Sequence, residues 1–424
     1  MTDAIRTAAS LDASDPLRRF RDRFHLPAGP EGAPAIYLCG NSLGPMPKAA
    51  AEEISEVLSQ WSTLGVRGHH EGTHPWLTFH ERFAGPLAEI VGAQPNEVVA
   101  MNTLTVNLHL LLTSFYRPDT SRHRVLMEAG AFPSDRQAIA SHIDWHGGSV
   151  DNSLIEVAPT DERGVWQTEQ FVRAIEQAGP TLALVLLPGV QYRNGQALDL
   201  REITRAAHKV GALAGFDLAH AVGNIPLRLH EDNVDFAVWC HYKYLSAGPG
   251  AVAGAFIHER HGARTDLKRF AGWWGHDLAT RFRMGPEFHP TPGADGWQLS
   301  NPPILSLAPL AASLAIFQEA GMQSLRAKSH ALDAFARELI RLRCQDRIDI
   351  LTPADPSSRG CQLSLRVTAG RSVGRATFER LTAMGVIGDW REPDVIRLTP
   401  MPLYTRFADI EVATRLLAQA VAVA

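Results

Sequence analysis

Short apolar runs alternate with segments of helical periodicity along most of the chain. A continuous apolar run of roughly 4 to 8 residues is typical of a strand in a parallel sheet that helices cover on both faces. The other pattern is clear at residues 48–64, whose apolar side chains recur at the spacing of one helix face. The alternation predicts an α/β fold with a mostly parallel central sheet. The strands predicted for that sheet are residues 98–101, 124–127, 181–187, 211–217, 235–240 and 251–257.

The last part of the chain favours a second, smaller domain of the α+β class. A long helix rich in alanine and leucine is predicted at residues 305–319, where it would join the two domains. Helical and strand patterns alternate after it, up to a final helix predicted from Asp409. The predicted division is an N-terminal segment with an active-site loop at residues 1–47, a large domain at 48–304 and a small C-terminal domain at 305–424.

A lysine follows the strand predicted at residues 235–240, within the segment Cys240-His-Tyr-Lys-Tyr-Leu245. At the end of a core strand its ammonium would be partly desolvated, which favours the neutral amine as a nucleophile or Schiff-base partner. A Gly-Pro-Gly turn at residues 248–250 leaves a second interpretation open, in which Lys243 is a surface residue of the turn.

Two further segments carry polar residues, one where a strand ends and one where a helix begins. Asp217 ends the strand predicted at residues 211–217, and ligands of open parallel sheets bind beyond the carboxyl ends of the strands. A buried aspartate there needs a cationic partner, either a protonated ring nitrogen or a structural arginine. Thr105 begins an apolar helix and is either a phosphate donor or a plain N-cap. Lysine, aspartate and helix start together are the combination that pyridoxal phosphate requires, and an arginine from a second domain would grip a substrate carboxylate.

Composition excludes several classes of function. The 424 residues include 41 basic and 45 acidic ones, and a net charge of -4 gives no electrostatic footprint for nucleic acid or an anionic membrane. The four cysteines are scattered, which suits a reducing cytoplasm. The three histidines at residues 69–74 have no common zinc spacing, so no metal is expected. Neither a signal peptide nor a membrane anchor is indicated.

Ordered sequence blocks between about residues 35 and 410 resemble the kynureninase family, which comprises fold type I pyridoxal phosphate enzymes related to class V aminotransferases. The blocks are Tyr37-Leu-Cys-Gly-Asn-Ser-Leu-Gly44, Asn102-Thr-Leu-Thr-Val-Asn-Leu-His109, Phe132-Pro-Ser-Asp135, Asp217-Leu-Ala-His220, Cys240-His-Tyr-Lys-Tyr-Leu245, Gly272-Trp-Trp-Gly-His276, Ser300-Asn-Pro-Pro303, and Ile396-Arg397 with Pro402-Leu-Tyr404. The resemblance implies the fold of that class, with a large cofactor-binding domain and a smaller C-terminal domain.

The resemblance also implies a set of site residues. Lys243 would be the Schiff-base lysine, and Tyr242 a phosphate ligand that passes a proton. Arg397 would bind the substrate carboxylate, while His69, Ser42 and Asn301 would surround its aromatic ring. The implied cofactor contacts are Leu104, Thr105, Phe132, Pro133, Ser134, Asp135, Asp217, His220, Tyr242, Lys243, Trp273 and Asn301.

Two of these contacts imply a homodimer, because in the family Trp273 and Asn301 reach the site from the neighbouring subunit. Phe132 would stack on the cofactor ring, although its own segment, taken by itself, favours an ordinary core side chain. The chain departs from the family at Pro188, where relatives often have a hydroxyl residue, because proline lacks both a side-chain donor and a backbone N–H.

The implied reaction is the hydrolysis of L-kynurenine, and of 3-hydroxy-L-kynurenine, to anthranilate or 3-hydroxyanthranilate and L-alanine in tryptophan catabolism. An aminotransferase or a cysteine desulfurase is the alternative on the same fold. A desulfurase needs a reactive cysteine on a mobile loop, whereas Cys344 is predicted at a helix end and Cys361 at a strand start. A regulator that binds DNA is not favoured, because the segment before the first strand is short and weakly basic.

Overall fold

The central sheet of the large domain has seven strands. The computed structural model describes residues 7–264 and 266–423. Neighbouring strands are parallel except Ala253–Ile257, which is antiparallel to both of its neighbours. The mostly parallel α/β sheet predicted from the apolar runs is therefore confirmed. In spatial order the strands are Val98–Ala100, Ala253–Ile257, Phe236–Cys240, Leu213–Asp217, Leu182–Pro188, Arg124–Glu128 and Leu154–Val157.

Helices cover both faces of this sheet, so the strands Phe236–Cys240 and Ala253–Ile257 are buried along their whole length. On one face, Leu108 and Ile139 from two helices pack on the sheet. The α-helices of the first 320 residues are Ala8–Ser14, Ala50–Leu64, Ala84–Val91, Leu104–Phe115, Pro133–Trp145, Val150–Ser153, Thr168–Ala178, Leu200–Lys209, Glu259–Gly262, Leu278–Arg281 and Ile304–Ala320.

The sequence pattern predicts one helix over residues 77–91, and this prediction is wrong in its first part. A 3₁₀ turn, Phe79–Phe83, precedes an α-helix that covers only Ala84–Val91. The reason is Pro86, which has no N–H to donate backwards and whose ring would clash with the carbonyl of a preceding α-helical turn. Gly92 ends the helix with φ +63°, and a side chain there would also collide with the carbonyl oxygen of Leu227.

The helix Ile304–Ala320 packs with the large domain. Leu307, Leu314 and Phe317 are buried in the main core, and the helix lies against Ala50–Leu64. The division of the chain at residues 304 and 305 stays a prediction. Within the described residues no single helix is long and apolar enough to cross a membrane. One pair of consecutive helices has the required length and apolar composition only when both are taken together: Ile304–Ala320 and the helical stretch from Met322 to Arg347. The two are bent by 79° relative to each other.

The small domain is built on a four-stranded antiparallel sheet. Its strands in spatial order are Ile348–Ile350, Leu363–Val367, Val395–Leu398 and Asp389–Arg391. Three helices, Met322–Cys344, Arg371–Ala383 and Phe407–Ala422, enclose a core of their own with this sheet. An α+β arrangement after residue 320 therefore agrees with the sequence pattern.

The N-terminal segment is tied to the small domain. Strand Ile36–Tyr37 pairs in parallel with Val386–Ile387, and Phe24–His25 pairs with Met46–Pro47. The amide of Leu38 donates to the carbonyl oxygen of Ile387 at 2.8 Å, and the amide of Thr399 donates to that of Leu38 at 2.8 Å. The loop at residues 40–44 follows these contacts directly.

Candidate active site

A cavity of about 270 Å³ lies beyond the carboxyl ends of the parallel strands, where the small domain faces the central sheet. This is the position at which open α/β sheets bind ligands. Most residues implied by the sequence line it. They are Ser42, Leu104, Thr105, Phe132, Ser134, Asp135, Asp217, His220, Tyr242, Lys243 and Arg397.

Lys243 projects into the cavity from the turn that follows strand Phe236–Cys240. Its Nζ lies 3.2 Å from Nε2 of His220 and 5.9 Å from the ring centroid of Phe132. The turn is closed by the amide of Ser246, which donates to the carbonyl oxygen of Lys243 at 2.9 Å. Gly44 packs on this turn so closely that a side chain there would strike Ser246. The lysine is therefore half-buried and held by its own backbone.

His220 is the immediate partner of the lysine. Its side chain is buried, and Nδ1 lies 3.3 Å from the hydroxyl of Tyr244. Burial lowers the pKa of His220 well below its usual value, and the nearby charge of Lys243 lowers it further. The ring is therefore neutral and offers one N–H and one lone pair, so that it accepts a hydrogen bond from the lysine or donates one to it.

One side of the cavity is lined by three buried carboxyl groups, which we call the acidic wall. They are Glu128, Asp135 and Asp217. Burial raises the pKa of Asp217, and burial together with the charge of Asp217 raises that of Asp135 well above its usual value. Burial also raises the pKa of Glu128 to about 8. In residues 7–264 and 266–423 no salt bridge reaches any of the three. Lys243 acts on Asp135 and Asp217 only from beyond salt-bridge distance, so the acidic wall lacks the close cationic partner that a buried carboxylate requires.

Two helix N-termini meet at another side of the cavity. The helices Leu104–Phe115 and Pro133–Trp145 begin there, and their hydroxyls Thr105 Oγ1 and Ser134 Oγ lie 2.8 Å apart. The first helix starts after Asn102, whose φ of +49° turns the chain and whose side-chain amide donates to Asn107 Oδ1 at 3.0 Å. Free backbone N–H groups, two helix dipoles and two hydroxyls form a site for an anion.

Arg397 lies on the small-domain side, almost fully buried at 1% exposure. Its Nε donates to Asp389 Oδ1 at 2.7 Å, and an Nη group donates to the carbonyl oxygen of Tyr192 at 2.7 Å. The Asn41 amide, oriented to satisfy its own hydrogen bonds, accepts from Arg397 at 3.3 Å and donates to Thr399 Oγ1 at 3.0 Å. Strand register and the 40–44 loop therefore fix the guanidinium in one orientation.

Four of the residues implied by the sequence lie outside the cavity of a single chain. His69 packs edge-on against Trp76 with ring centroids 5.4 Å apart, and Asn301 is exposed. Trp273 is exposed by 42%, and its Nε1 donates to the carbonyl oxygen of Arg281 at 3.3 Å. Pro133 is the first residue of its helix and does not line the cavity. The contacts implied for these residues stay predictions.

The cavity also contains residues that the sequence reasoning missed. They are Asn41, Glu128, Val190, Tyr192, Ala219 and Arg391, beside Pro188, which ends its strand opposite Asp217. The strand-end rule applied to Asp217 would also have found Glu128, the last residue of strand Arg124–Glu128. Arg391 had no such signal, because it lies in a short edge strand without periodicity.

Comparison with known proteins identifies the family. The sequence model of the kynureninase C-terminal domain matches residues 325–417. Kynureninase from Xanthomonas campestris pv. campestris (strain B100) is 59% identical over 412 residues, which cover 97% of each chain. Kynureninase from Stenotrophomonas maltophilia (strain K279a) is 58% identical over 95% of each chain. This chain belongs to the kynureninase family.

Solved structures of other enzymes share the fold of this kynureninase-family chain at low sequence identity. A cysteine desulfurase from Thermococcus onnurineus NA1 is 15% identical, with a TM-score of 0.76 and coverage of 99% of this chain and 100% of its own. The cystine C-S lyase C-DES is 18% identical, with a TM-score of 0.74 and coverage of 91% and 97%. The likeness shows the fold type I architecture that the sequence predicted.

The residues of this kynureninase-family cavity fit pyridoxal phosphate. The anion site at the two helix N-termini suits its phosphate, the amine of Lys243 suits its aldehyde, and the acidic wall suits a protonated ring nitrogen. Asp135 Oδ1 is buried without a hydrogen-bond partner in the described part of the chain, so the hydrogen bonding of the acidic wall is incomplete without a ligand. The protein is a pyridoxal phosphate enzyme, as family and donor set agree.

Proposed function

We propose that this chain hydrolyses the Cβ–Cγ bond of L-kynurenine, giving anthranilate and L-alanine, and that it also accepts 3-hydroxy-L-kynurenine. The observation that carries the proposal is the 59% identity to a kynureninase over 97% of the chain. The cavity supports it, because one space of about 270 Å³ joins an amine, an anion site and a carboxylate-binding arginine. We place the reaction in tryptophan catabolism.

Bound pyridoxal phosphate supplies an electron sink that withdraws negative charge from the substrate carbon atoms. Lys243 Nζ is the group that takes a proton from the substrate Cα and returns it. The neutral ring of His220, 3.2 Å away, accepts a hydrogen bond from the lysine and so directs the nitrogen lone pair into the cavity. Lys243 is therefore the central catalytic residue of the proposal.

Tyr242 is the proposed carrier of the second proton. Burial raises the pKa of this phenol, so it holds its proton at neutral pH and donates a hydrogen bond. As water adds to the ketone carbon and the Cβ–Cγ bond breaks, an O–H donor in the cavity stabilises the oxyanion and delivers a proton to Cβ. Anthranilate then leaves, and the remaining three carbons become L-alanine.

The two ends of the substrate meet different residues in the proposed mode. Arg397 binds the α-carboxylate, because its guanidinium is held at the cavity wall with one N–H left over from its protein partners. Ser42 lies at the cavity in the 40–44 loop and is proposed to contact the aromatic ring. His69 and Asn301 complete this ring site in the proposal.

A homodimer is part of the proposal. Trp273 and Asn301 lie outside the cavity of their own chain, which agrees with the family pattern in which they serve a neighbouring subunit. The exposure of Trp273 and of Leu305, at 42% and 44%, is consistent with a covered surface. We place the enzyme in the cytoplasm, because its four cysteines are free of disulfides.

Persulfide chemistry of the desulfurase type is not favoured by the cysteines. Burial raises the pKa of Cys39 to about 11 and that of Cys361 to about 12, and it also raises the pKa of Cys240 and Cys344. The reactive form of cysteine is the thiolate, which these pKa values suppress at neutral pH. None of the four lines the cavity.

The test of the proposal is the product balance with L-kynurenine. We expect equal amounts of anthranilate and L-alanine without any added keto acid, and the same rate when pyruvate is added. L-cysteine serves as the control substrate and should release no sulfide. A requirement for the keto acid, or transfer of the amino group to it, would refute hydrolysis and favour an aminotransferase.

The substrate preference has a test of its own. Asn301→Ala is expected to change kcat/KM for 3-hydroxy-L-kynurenine more than for L-kynurenine, because an amide that hydrogen-bonds a ring hydroxyl discriminates between the two. Both values are measured side by side with the unaltered enzyme. If kcat/KM changed by the same factor for both substrates, Asn301 would not discriminate between them.

A further inference from the structure

We infer that Arg391 is a second determinant of substrate carboxylate binding. The ion pair between Arg397 and Asp389 leaves no net positive charge for the substrate, and Arg391 supplies that charge. The inference rests on the proposed function only in that the substrate carries an α-carboxylate. It concerns a residue that has no counterpart among the roles implied by the sequence.

The charge of Arg397 is already compensated within the protein. Asp389 Oδ1 lies 2.7 Å from its Nε and 2.6 Å from an Nη, which is the geometry of a close ion pair. The backbone oxygen of Tyr192 and the amide of Asn41 accept further N–H groups. Arg397 therefore keeps one N–H for a ligand, and together with Asp389 it presents no net charge.

Arg391 is held much more loosely. Its guanidinium is 3.7 Å from Asp389 Oδ2, which is too long for a hydrogen bond, and its carbon Cζ lies 5.6 Å from the ring centroid of Tyr192. Its Nε is buried and has no hydrogen-bond partner within the described ranges. A buried donor without a partner at a cavity wall is the feature that a bound anion would satisfy.

The strand geometry explains why the three side chains converge. Successive side chains of a strand alternate between faces, so Asp389 and Arg391, two residues apart, share one face. In the antiparallel pairing Asp389 lies directly opposite Arg397. Arg391 is therefore the diagonal neighbour of Arg397 on the face that lines the cavity.

The sum of charges on this side of the cavity is positive. Two arginines face one carboxylate, so a substrate carboxylate brings the group to neutrality. Of the other titratable side chains that face this group, Cys39, Tyr244 and His220 are neutral, because burial raises the pKa of the thiol and the phenol and lowers that of the imidazole. Lys243 lines the same cavity and adds no negative charge. Without Arg391, an incoming carboxylate would meet Asp389 without a compensating excess cation, and its binding would be weaker.

The test uses two ligands that lack the α-amino group and so cannot react with the cofactor. They are 4-(2-aminophenyl)-4-oxobutanoate and its uncharged primary amide, whose inhibition constants are measured against L-kynurenine with the holoenzyme. In Arg391→Gln we expect the preference for the acid over the amide to fall about tenfold. KM for L-kynurenine should rise while kcat changes little, because the lost interaction holds ground state and transition state alike.

Two variants and one measurement without any variant control this test. Arg391→Lys keeps the charge, so its preference for the acid should stay within about threefold of the unaltered enzyme. Arg366→Gln removes a similarly exposed arginine of the same small sheet, 3.1 Å from Asp349, and should change nothing. In the unaltered enzyme the preference should fall as salt rises from about 0.05 to 0.5 M, since the half-exposed Arg391 is screened more than the buried Arg397.

An unchanged acid-to-amide preference in Arg391→Gln, or an equally large loss in Arg391→Lys, would overturn the inference. If the glutamine variant fails to fold, a preference that is insensitive to salt overturns it in the unaltered enzyme. Failure of the proposed function gives a different result, because the unaltered enzyme would then release no anthranilate at all.

Discussion

The two sides of the cavity solve the problem of buried charge in opposite ways. The acidic wall, formed at strand and helix ends of the large domain, leaves Glu128, Asp135 and Asp217 without salt-bridge partners, and their pKa values rise. The arginines of the small sheet have a carboxylate, Asp389, built in beside them. One side therefore lacks a paired cation, whereas the other already holds one carboxylate against its two arginines before any ligand arrives.

This difference matches what each side is expected to hold. A cofactor that stays bound through many turnovers can complete a wall that is electrostatically incomplete. A substrate carboxylate that must enter and leave at every turnover is better met by arginines whose charge is already partly compensated, because two fully unpaired arginines would hold the product too long. The predictions below test this contrast from the largest expected effect to the smallest.

Lys243→Ala removes the amine that faces the acidic wall. We expect turnover to fall by more than about 10³-fold, since a nucleophile and proton carrier is lost, and the visible absorbance of the lysine-bound cofactor to disappear. Lys209→Ala is the control, because Lys209 is an exposed residue paired with Glu176. Normal turnover in Lys243→Ala would end the assignment of the site.

Arg397→Gln tests the side of the cavity that the arginines form. We expect kcat/KM for L-kynurenine to fall about 100-fold, since charge-assisted hydrogen bonds to the substrate are lost and Asp389 is left without its close partner. The double variant with Asp389→Asn should recover part of this loss. Steady-state kinetics of both variants provide the measurement, and a double variant worse than the single one would contradict the proposed balance.

Glu128→Gln tests the incomplete side through stability. The pKa of Glu128 is raised from 4.5 to about 8 in the folded protein, so the folded state binds more protons than the unfolded state between these pH values. Stability of the cofactor-free enzyme should therefore fall as pH rises through this window. Glu128 accounts for about 2 kcal/mol of that fall between about pH 6 and 7.5, and Glu128→Gln should remove it.

Urea unfolding of the cofactor-free enzyme at several pH values measures this slope. Glu176→Gln, a change at an exposed side chain on the surface, provides the control. If both variants keep the slope of the unaltered enzyme, Glu128 is not protonated in the way we expect.

Thr105→Ala should give the smallest effect. Loss of one hydroxyl donor at the anion site is expected to weaken pyridoxal phosphate binding about tenfold, the usual value of one hydrogen bond to a charged group. Thr103→Ala, two residues earlier at the exposed N-cap position, should leave binding unchanged. The dissociation constants are measured by equilibrium dialysis. Equal constants for both variants would show that Thr105 does not contact the phosphate.

The sequence was informative wherever one strand or helix end determined a position. Apolar runs predicted the strands, and the rule that ligands bind at their carboxyl ends placed Asp217 and Lys243 at one edge. Tyr192 and Arg391 were missed, because they reach the cavity only through the docking of the small domain on the large one. That docking depends on contacts between residues far apart in sequence, such as Arg397 with the Tyr192 carbonyl. No local pattern encodes such contacts.

The segment that leads into the 40–44 loop joins the two domains mechanically. Leu38 is hydrogen-bonded to strands of the small domain, and six residues later the amide of Gly44 donates to the carbonyl oxygen of Tyr242 at 2.9 Å. A shift of the small domain would move Leu38, and the short segment between Leu38 and Gly44 would transmit that movement to the backbone of Tyr242. Asn41 and Ser42 would travel with Arg397, and the same movement would reach the backbone beside Lys243. Closure around a substrate and alignment of the amine would then occur as one movement.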